Sequence, residues 1–165
     1  MIEIPKSSTA DTRTCDFTQV TKETLYKSSH QHILDVRRAL AFFSYLLKDV
    51  ADRHDYDKLL DIDSFHADFL TGFKVTTWWD RHRRLNRHHL NIADGVPDDV
   101  NLIDVLDMIA DGVMAGAGRS GVENIYLPQL PPDVLHRAFL NTFELLKSQV
   151  RIASAPRPET PEGTP

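Results

Sequence analysis

Two adjacent side chains carry the strongest chemical signal in this chain, His54 and Asp55. An imidazole beside a carboxylate suits Mn, Fe, Co, Zn or Ni better than Ca or Mg alone. Adjacent residues on a helix point about 100° apart, yet both reach one ion that sits over the end of a turn. Two ligands do not hold a catalytic metal, so others must converge. Eight histidines are present, and seven of them fall between His30 and His89. Histidine is the commonest metal ligand and titrates nearest neutral pH, so this concentration asks for a reason. His32 is the first further candidate. It carries a geometric condition: on one unbroken rod, about 20 residues of helix would hold it roughly 30 Å from His54. The chain must therefore bend or break near Asp49 to Arg53.

A carboxylate is expected from a later segment. Asp104, Asp107 and Asp111 recur at i, i+3 and i+7, which is one helical face. From spacing alone they read first as a solvated acidic face. Against that, Ile103, Val105, Met108 and Ala110 make the helix strongly apolar, and a buried acid needs a partner. Upstream of them stands Arg81-His-Arg-Arg-Leu-Asn-Arg-His-His89. His82, Asn86 and His89 share a face there, with His88 to the side. One reading makes His82 and one of His88 or His89 an extension of the metal site, or a second site. Arg81, a neighbouring arginine or Lys58 would then hold phosphate oxygens. The competing readings are a solvated basic face and a nucleic-acid patch, since Trp78 and Trp79 adjoin it. His30 is a weaker ligand candidate than His32. His66, His136 and Cys15 read as bystanders. No Gly-rich phosphate loop, CxxC pair or nucleophile elbow is present.

The elements that must position these residues are helical. The spacing predicts helices over about His30–Arg53, Ile62–Leu70, Val75–His89, Val100–Ala115 and Pro132–Ile152. Ile33, Val36, Leu40, Phe43, Leu47 and Val50 form one stripe on the first, read as buried, with Ser28 or Ser29 as its cap. Asp61 or Asp63 would cap the second, and Gly116-Ala-Gly118 would stop the fourth. Glu123–Leu127 is the only strand candidate. The fold class is all-α, a single helical domain of about five to six helices. Residues 1–20 read as an arm or short strap, 21–152 as the domain, and 153–165 as a disordered, proline-rich tail.

The bulk numbers agree with this. The chain has 165 residues, 41 % apolar and 26 % charged, and suits one core. A net charge of −5 weighs against a general nucleic-acid binder. The longest uncharged apolar run, Ala39–Leu47, is about half a membrane span, so no membrane partner is expected. A single cysteine and no visible secretory signal point to the cytoplasm.

Taken in order, His32, His54-Asp55 and Asp111 resemble the signature of the HD superfamily of metal-dependent phosphohydrolases. Lys58 sits three after the doublet, as in its His-Asp-x-x-Lys branch. The closer resemblance is to a family of short HD-like proteins of phages and bacteria. Its blocks read here as His32-Ile-Leu-Asp-Val36, His54-Asp-Tyr-Asp-Lys-Leu59, His82 to His89, and Leu102 to Asp111, with Asn141-Thr142 near the end. They span about residues 30 to 146. Leu90-Asn91 stands where that family often has Pro-Glu. The resemblance implies an HD-like helical domain, in the host cytoplasm if phage-encoded. It selects Asp111 from the three aspartates, so that His32, His54, Asp55 and Asp111 hold one or two divalent transition-metal ions. It implies hydrolysis of a nucleotide or deoxynucleotide phosphate ester, with Asp55, Lys58 and His82 as catalytic residues. A non-hydrolytic sensor or host-modulating protein of the same fold is the second expectation, and a nucleic-acid-binding domain the third. A homo-oligomer is left open.

Overall fold

The computed structural model describes residues 1–5, 18–74, 77–90, 96–125 and 129–153. The fold is all-α apart from two short strands. In chain order it contains β1 (Ile2–Ile4), α1 (Lys22–Arg53), α2 (Tyr56–Leu60), α3 (Ile62–Leu70) and α4 (Trp78–Leu85). These are followed by α5 (Leu102–Ser120), a 3-10 turn at Val122–Asn124, α6 (Pro132–Gln149) and β2 (Val150–Ile152). Among the described residues no helix is long and apolar enough to cross a membrane. The chain divides into two compact units, Met1–Phe42 with Leu146–Pro165, and Phe43–Leu145.

In the first unit β1 pairs in parallel with β2, Ile2 opposite Val150 and Ile4 opposite Ile152. The Ala153 amide extends the ladder to the Ile4 carbonyl at 2.8 Å. The start of the chain, read from sequence as an arm or strap, is thus a strand at Ile2–Ile4. Most of the remaining arm, and the tail beyond Ala153, lie outside the described residues.

α1 corrects the sequence reading in three ways. It starts at Lys22, well before His30. Thr21 caps it, accepting from the Thr24 amide at 3.1 Å, while Ser28 and Ser29 lie inside the helix. The stripe expected to be buried is not, because none of the 32 residues is buried. Most important, α1 is unbroken to Arg53. The bend that His32 needed before His54 does not exist.

The second unit has its core where α5 meets α6. Val100, Val105 and Met108 pack with Val134, Ala138 and Leu90. Asn101 and Asp104 form a reciprocal cap, satisfying two amides that the first turn of α5 leaves free. The Leu102 amide donates to Thr142 Oγ1 at 2.8 Å, and Asn141 Nδ2 donates to the Val100 carbonyl at 2.9 Å. That is the structural work of the Asn141-Thr142 pair. α5 does not stop at Gly116; it continues to Ser120 and turns at Gly121, with φ 74°. Gly116 serves packing instead, since a Cβ there would come within 3.1 Å of Ile125 Cγ2. The strand expected at Glu123–Leu127 opens in the 3-10 turn, and 126–128 are outside the described residues. α3 spans the predicted residues with Asp61 at its N-cap, and α2 was not anticipated.

Candidate metal centre

The helix break falls at the His-Asp doublet itself. α1 ends at Arg53, His54 and Asp55 form a two-residue turn, and α2 begins at Tyr56. Asp55 is left-handed, φ 54° and ψ 17°, a conformation aspartate tolerates better than most non-glycine residues. Asn86 Oδ1 accepts from the Asp55 amide at 3.3 Å, and the Lys58 amide donates to the Asp55 carbonyl at 3.0 Å. The turn brings His54 Nε2 to 3.6 Å from Asp55 Oδ2.

α4 and the loop after it supply the facing side chains. His82, fully buried on α4, places Nε2 3.4 Å from Asp55 Oδ1. α4 then stops at Leu85, short of the predicted His89. This ending matters, because two adjacent residues on a continued helix would diverge by about 100°. In the loop both reach inward instead. His88 Nε2 lies 3.6 Å from Asp55 Oδ1, and the His89 ring packs 4.9 Å from His82 and 4.3 Å from His88. From α5, Asp111 Oδ1 comes 3.8 Å from His54 Nε2.

Two groups of ligand atoms result. His54, Asp55, His88 and Asp111 form one, and Asp55, His82 and His89 the other, the atoms of each lying within 4.8 Å of one another. Either group could hold a metal ion, and Asp55 belongs to both. Four of these atoms, Asp55 Oδ1 and the Nε2 atoms of His82, His88 and His89, are buried without a hydrogen-bond partner. A buried polar atom left unpaired costs on the order of 1–3 kcal/mol. Four aimed into one space fit a cation that would satisfy them together, and the imidazole–carboxylate donor set fits a divalent transition metal.

An outer ring of carboxylates orients the imidazoles. Asp107 Oδ1 is 2.8 Å from His54 Nδ1, and its Oδ2 is 3.3 Å from His88 Nδ1. Asp57 Oδ2 is 2.8 Å from His82 Nδ1, and Asn86 Nδ2 donates to Asp57 Oδ1 at 2.9 Å. Binding each Nδ1 proton leaves Nε2 as the lone-pair atom that faces Asp55, the usual support for a metal-ligating histidine. The three aspartates of α5 therefore do different jobs. Asp104 is not a ligand: it is buried and clasped by Arg87 through two 2.8 Å bonds. Asp107 holds two histidines, and Asp111 faces the ligand space.

No family model, curated protein or solved structure matches the chain.

The electrostatics divide the histidines. Burial pushes the His89 pKa down to about 4, helped by the charges of His88 and His82. Burial likewise lowers His82, against the pull of Asp57 and Asp55. His88 goes the other way: burial opposes its charge, but Asp107, Asp55 and Asp111 outweigh that and raise it. Burial also works against the Asp55 carboxylate, yet Lys58, His54 and His82 together hold its pKa below the usual value. Lys58 Nζ is ion-paired directly to Asp55 Oδ2.

Several expected residues are elsewhere. His32 and His30 are exposed on α1 and in neither ligand group, and His30 stacks on Tyr26. Arg81 is paired with Asp61 at 2.5 Å, and Asn86 acts as a brace rather than a ligand. Both His88 and His89 face the ligand space, where one was expected. Asp57 was overlooked although it lies two residues past Asp55. Beside His54 and His88 opens a cleft of about 270 Å³, walled by Val50, Arg53, Tyr56, Leu60 and Leu85.

Proposed function

We propose that this protein is a metal-dependent phosphohydrolase of the HD type. Its substrate is a phosphate ester of a nucleotide or deoxynucleotide, hydrolysed at a centre of two divalent ions that share Asp55. The observation that carries the reading is the set of four buried, unpartnered donor atoms around Asp55. Mn, Fe, Co, Zn or Ni suits them. His54, His88 and Asp111 would complete one ion's ligands with Asp55, and His82 and His89 the other's. Ions bound there would polarise a phosphoryl oxygen and lower the pKa of a water.

The chain's own residues do the rest. Asp55 is ionised and His82 and His89 are held neutral, so these ligands need shed no proton near neutral pH. Asp107 and Asp57 keep the imidazoles from turning. Lys58, ion-paired with Asp55, is the ammonium placed to move onto a phosphoryl oxygen and stabilise its charge. The apolar wall of Tyr56, Leu60 and Leu85 suits a base, and Arg53 at its edge is ion-paired with Asp49.

One observation favours a non-hydrolytic nucleotide- or metal-binding protein. Arg81, Arg83 and Arg87, the cations a phosphate would draw on, are each engaged by aspartates. The nucleic-acid reading loses its aromatic support, because Trp78 is buried and both tryptophans stack on His82. A panel of nucleotides with Mn or Co, read by phosphate release, separates hydrolysis from binding alone. Purified protein without stoichiometric metal by elemental analysis would sink both readings.

A further inference from the structure

The two ligand groups that share Asp55 differ in their access to solvent. In the group of Asp55, His82 and His89 the facing atoms are Asp55 Oδ1 and the two Nε2 atoms, and all three are buried without a partner. Aromatic rings close this group from outside. Trp78 and Trp79 stack on His82 at 5.0 and 5.1 Å, and Trp79 meets His89 edge-on at 5.4 Å. Trp78 is itself buried. Phe73 backs Trp79 at 5.0 Å from a left-handed backbone, φ 62°, which a bulky residue keeps only where its surroundings hold it. The other group is open on one side. Its His54 and Asp111 side chains are 29 % and 38 % exposed, while His88 is buried.

Charge and the position of Lys58 follow the same division. Four carboxylates, Asp55, Asp57, Asp107 and Asp111, belong to the groups or brace them, and their charge matches two divalent ions. Asp57 stands behind His82 on the closed side, and Asp107 behind His54 and His88 on the open side. The Lys58 ammonium is surplus to that balance. It pairs with Asp55 Oδ2, the oxygen turned toward His54, whereas Oδ1 faces His82. Lys58 therefore stands at the edge of the open group.

We infer that the two groups divide the work: Asp55, His82 and His89 hold a structural ion that exchanges slowly, and His54, Asp55, His88 and Asp111 hold the exchangeable ion that the ester's phosphate meets. This division rests on the two-ion reading above and adds which ion faces the substrate. A phosphate oxygen can approach the open group on the side of Asp111, where Lys58 pairs with the shared carboxylate. At the closed group, aromatic rings stand over the ligand atoms. Ligand count alone would assign the roles the other way, since three protein ligands are usual for a catalytic ion and four for a structural one. Burial decides against that count here, because the apolar shell around a site controls what reaches the ion.

Metal exchange on the full chain, loaded with zinc, tests this. EDTA should remove one equivalent at least about tenfold faster than the other, followed by elemental analysis of desalted samples. Cobalt should refill the emptied group, and inorganic phosphate should then shift its visible absorption bands. Trp79→Ala should still bind two equivalents but release the slow one about tenfold faster. Asp111→Ala, at a half-exposed helical position, should lose the fast equivalent and leave the slow one with its rate unchanged. Two equivalents that leave at one rate overturn the division and leave the two-ion reading standing. Cobalt bands unmoved by phosphate overturn it as well. So does an unchanged slow rate in Trp79→Ala, or loss of the slow equivalent in Asp111→Ala. A wild-type protein that takes up a single equivalent overturns the two-ion reading and the division together.

Discussion

Asp107 spans His54 and His88, one carboxylate oxygen 2.8 Å from the first Nδ1 and the other 3.3 Å from the second. A single side chain thus sets the rotation of two imidazoles whose Nε2 atoms face Asp55. The histidines come from the end of α1 and the loop after α4, and α5 brings the carboxylate that aligns them.

Asp107→Ala frees both rings while removing no ligand. Metal affinity should fall about 10–100-fold, the usual effect of losing such a support. Titration calorimetry checks this, and an unchanged affinity would remove Asp107 from the centre.

Asp104→Ala, one turn earlier, should do something different. It takes from Arg87 the two bonds to Asp104 and leaves Asp99 alone to hold the guanidinium, and it breaks the cap of α5. Stability in urea should fall by about 2 kcal/mol, from the lost hydrogen bonds and the lost cap. Metal stoichiometry in the surviving folded protein should stay at the wild-type value.

Lys58→Met separates binding from turnover. Without the ammonium on Asp55, metal should bind at least as tightly as in the wild type. Phosphate release should fall about 10²–10³-fold, the scale for losing one charge-stabilising group. Parallel loss of metal and activity would mean that Lys58 only supports the ligands.

Metal uptake should weaken with acid, and His88 should set the range. Asp107, Asp55 and Asp111 raise its pKa above the ordinary 6.5, so its proton persists to higher pH and competes with the ion. His89, near 4, is already free of its proton there. Below the His88 pKa affinity should drop by about tenfold per pH unit, one proton being released per ion bound. Calorimetry in two buffers of different ionisation enthalpy counts that proton. Uptake that stays flat down to pH 5 would contradict the assignment.

On the two-ion reading, His82→Ala should lower the metal-to-protein ratio by one, since it breaks the group of Asp55, His82 and His89 alone. Elemental analysis gives the ratio directly. Loss of both ions together would mean that the groups act as one site.

The helical class and the doublet were legible because both are local. A period near 3.6 marks α3 and α6 closely, and two adjacent ligand types need no fold to be noticed. What was hidden depends on where helices stop. The end of α4 at Leu85 turns His88 and His89 inward together, and no pattern before Leu85 announces it. The three aspartates of α5 looked equivalent by spacing. Only their neighbours, Arg87 for Asp104 and two histidines for Asp107, tell them apart. His32 stands outside both ligand groups, since its claim rested on a bend that α1 does not make. The strands were missed because three residues each are too short for a period to show.

The left-handed backbone of Asp55 closes this position to drift from two sides. Glutamate would keep the charge, but its longer chain displaces the carboxylate and its backbone resists a positive φ. Asparagine or glycine would keep the backbone and abandon the charge. The turn of the chain and the carboxylate common to both ligand groups belong to one residue, and aspartate answers both demands.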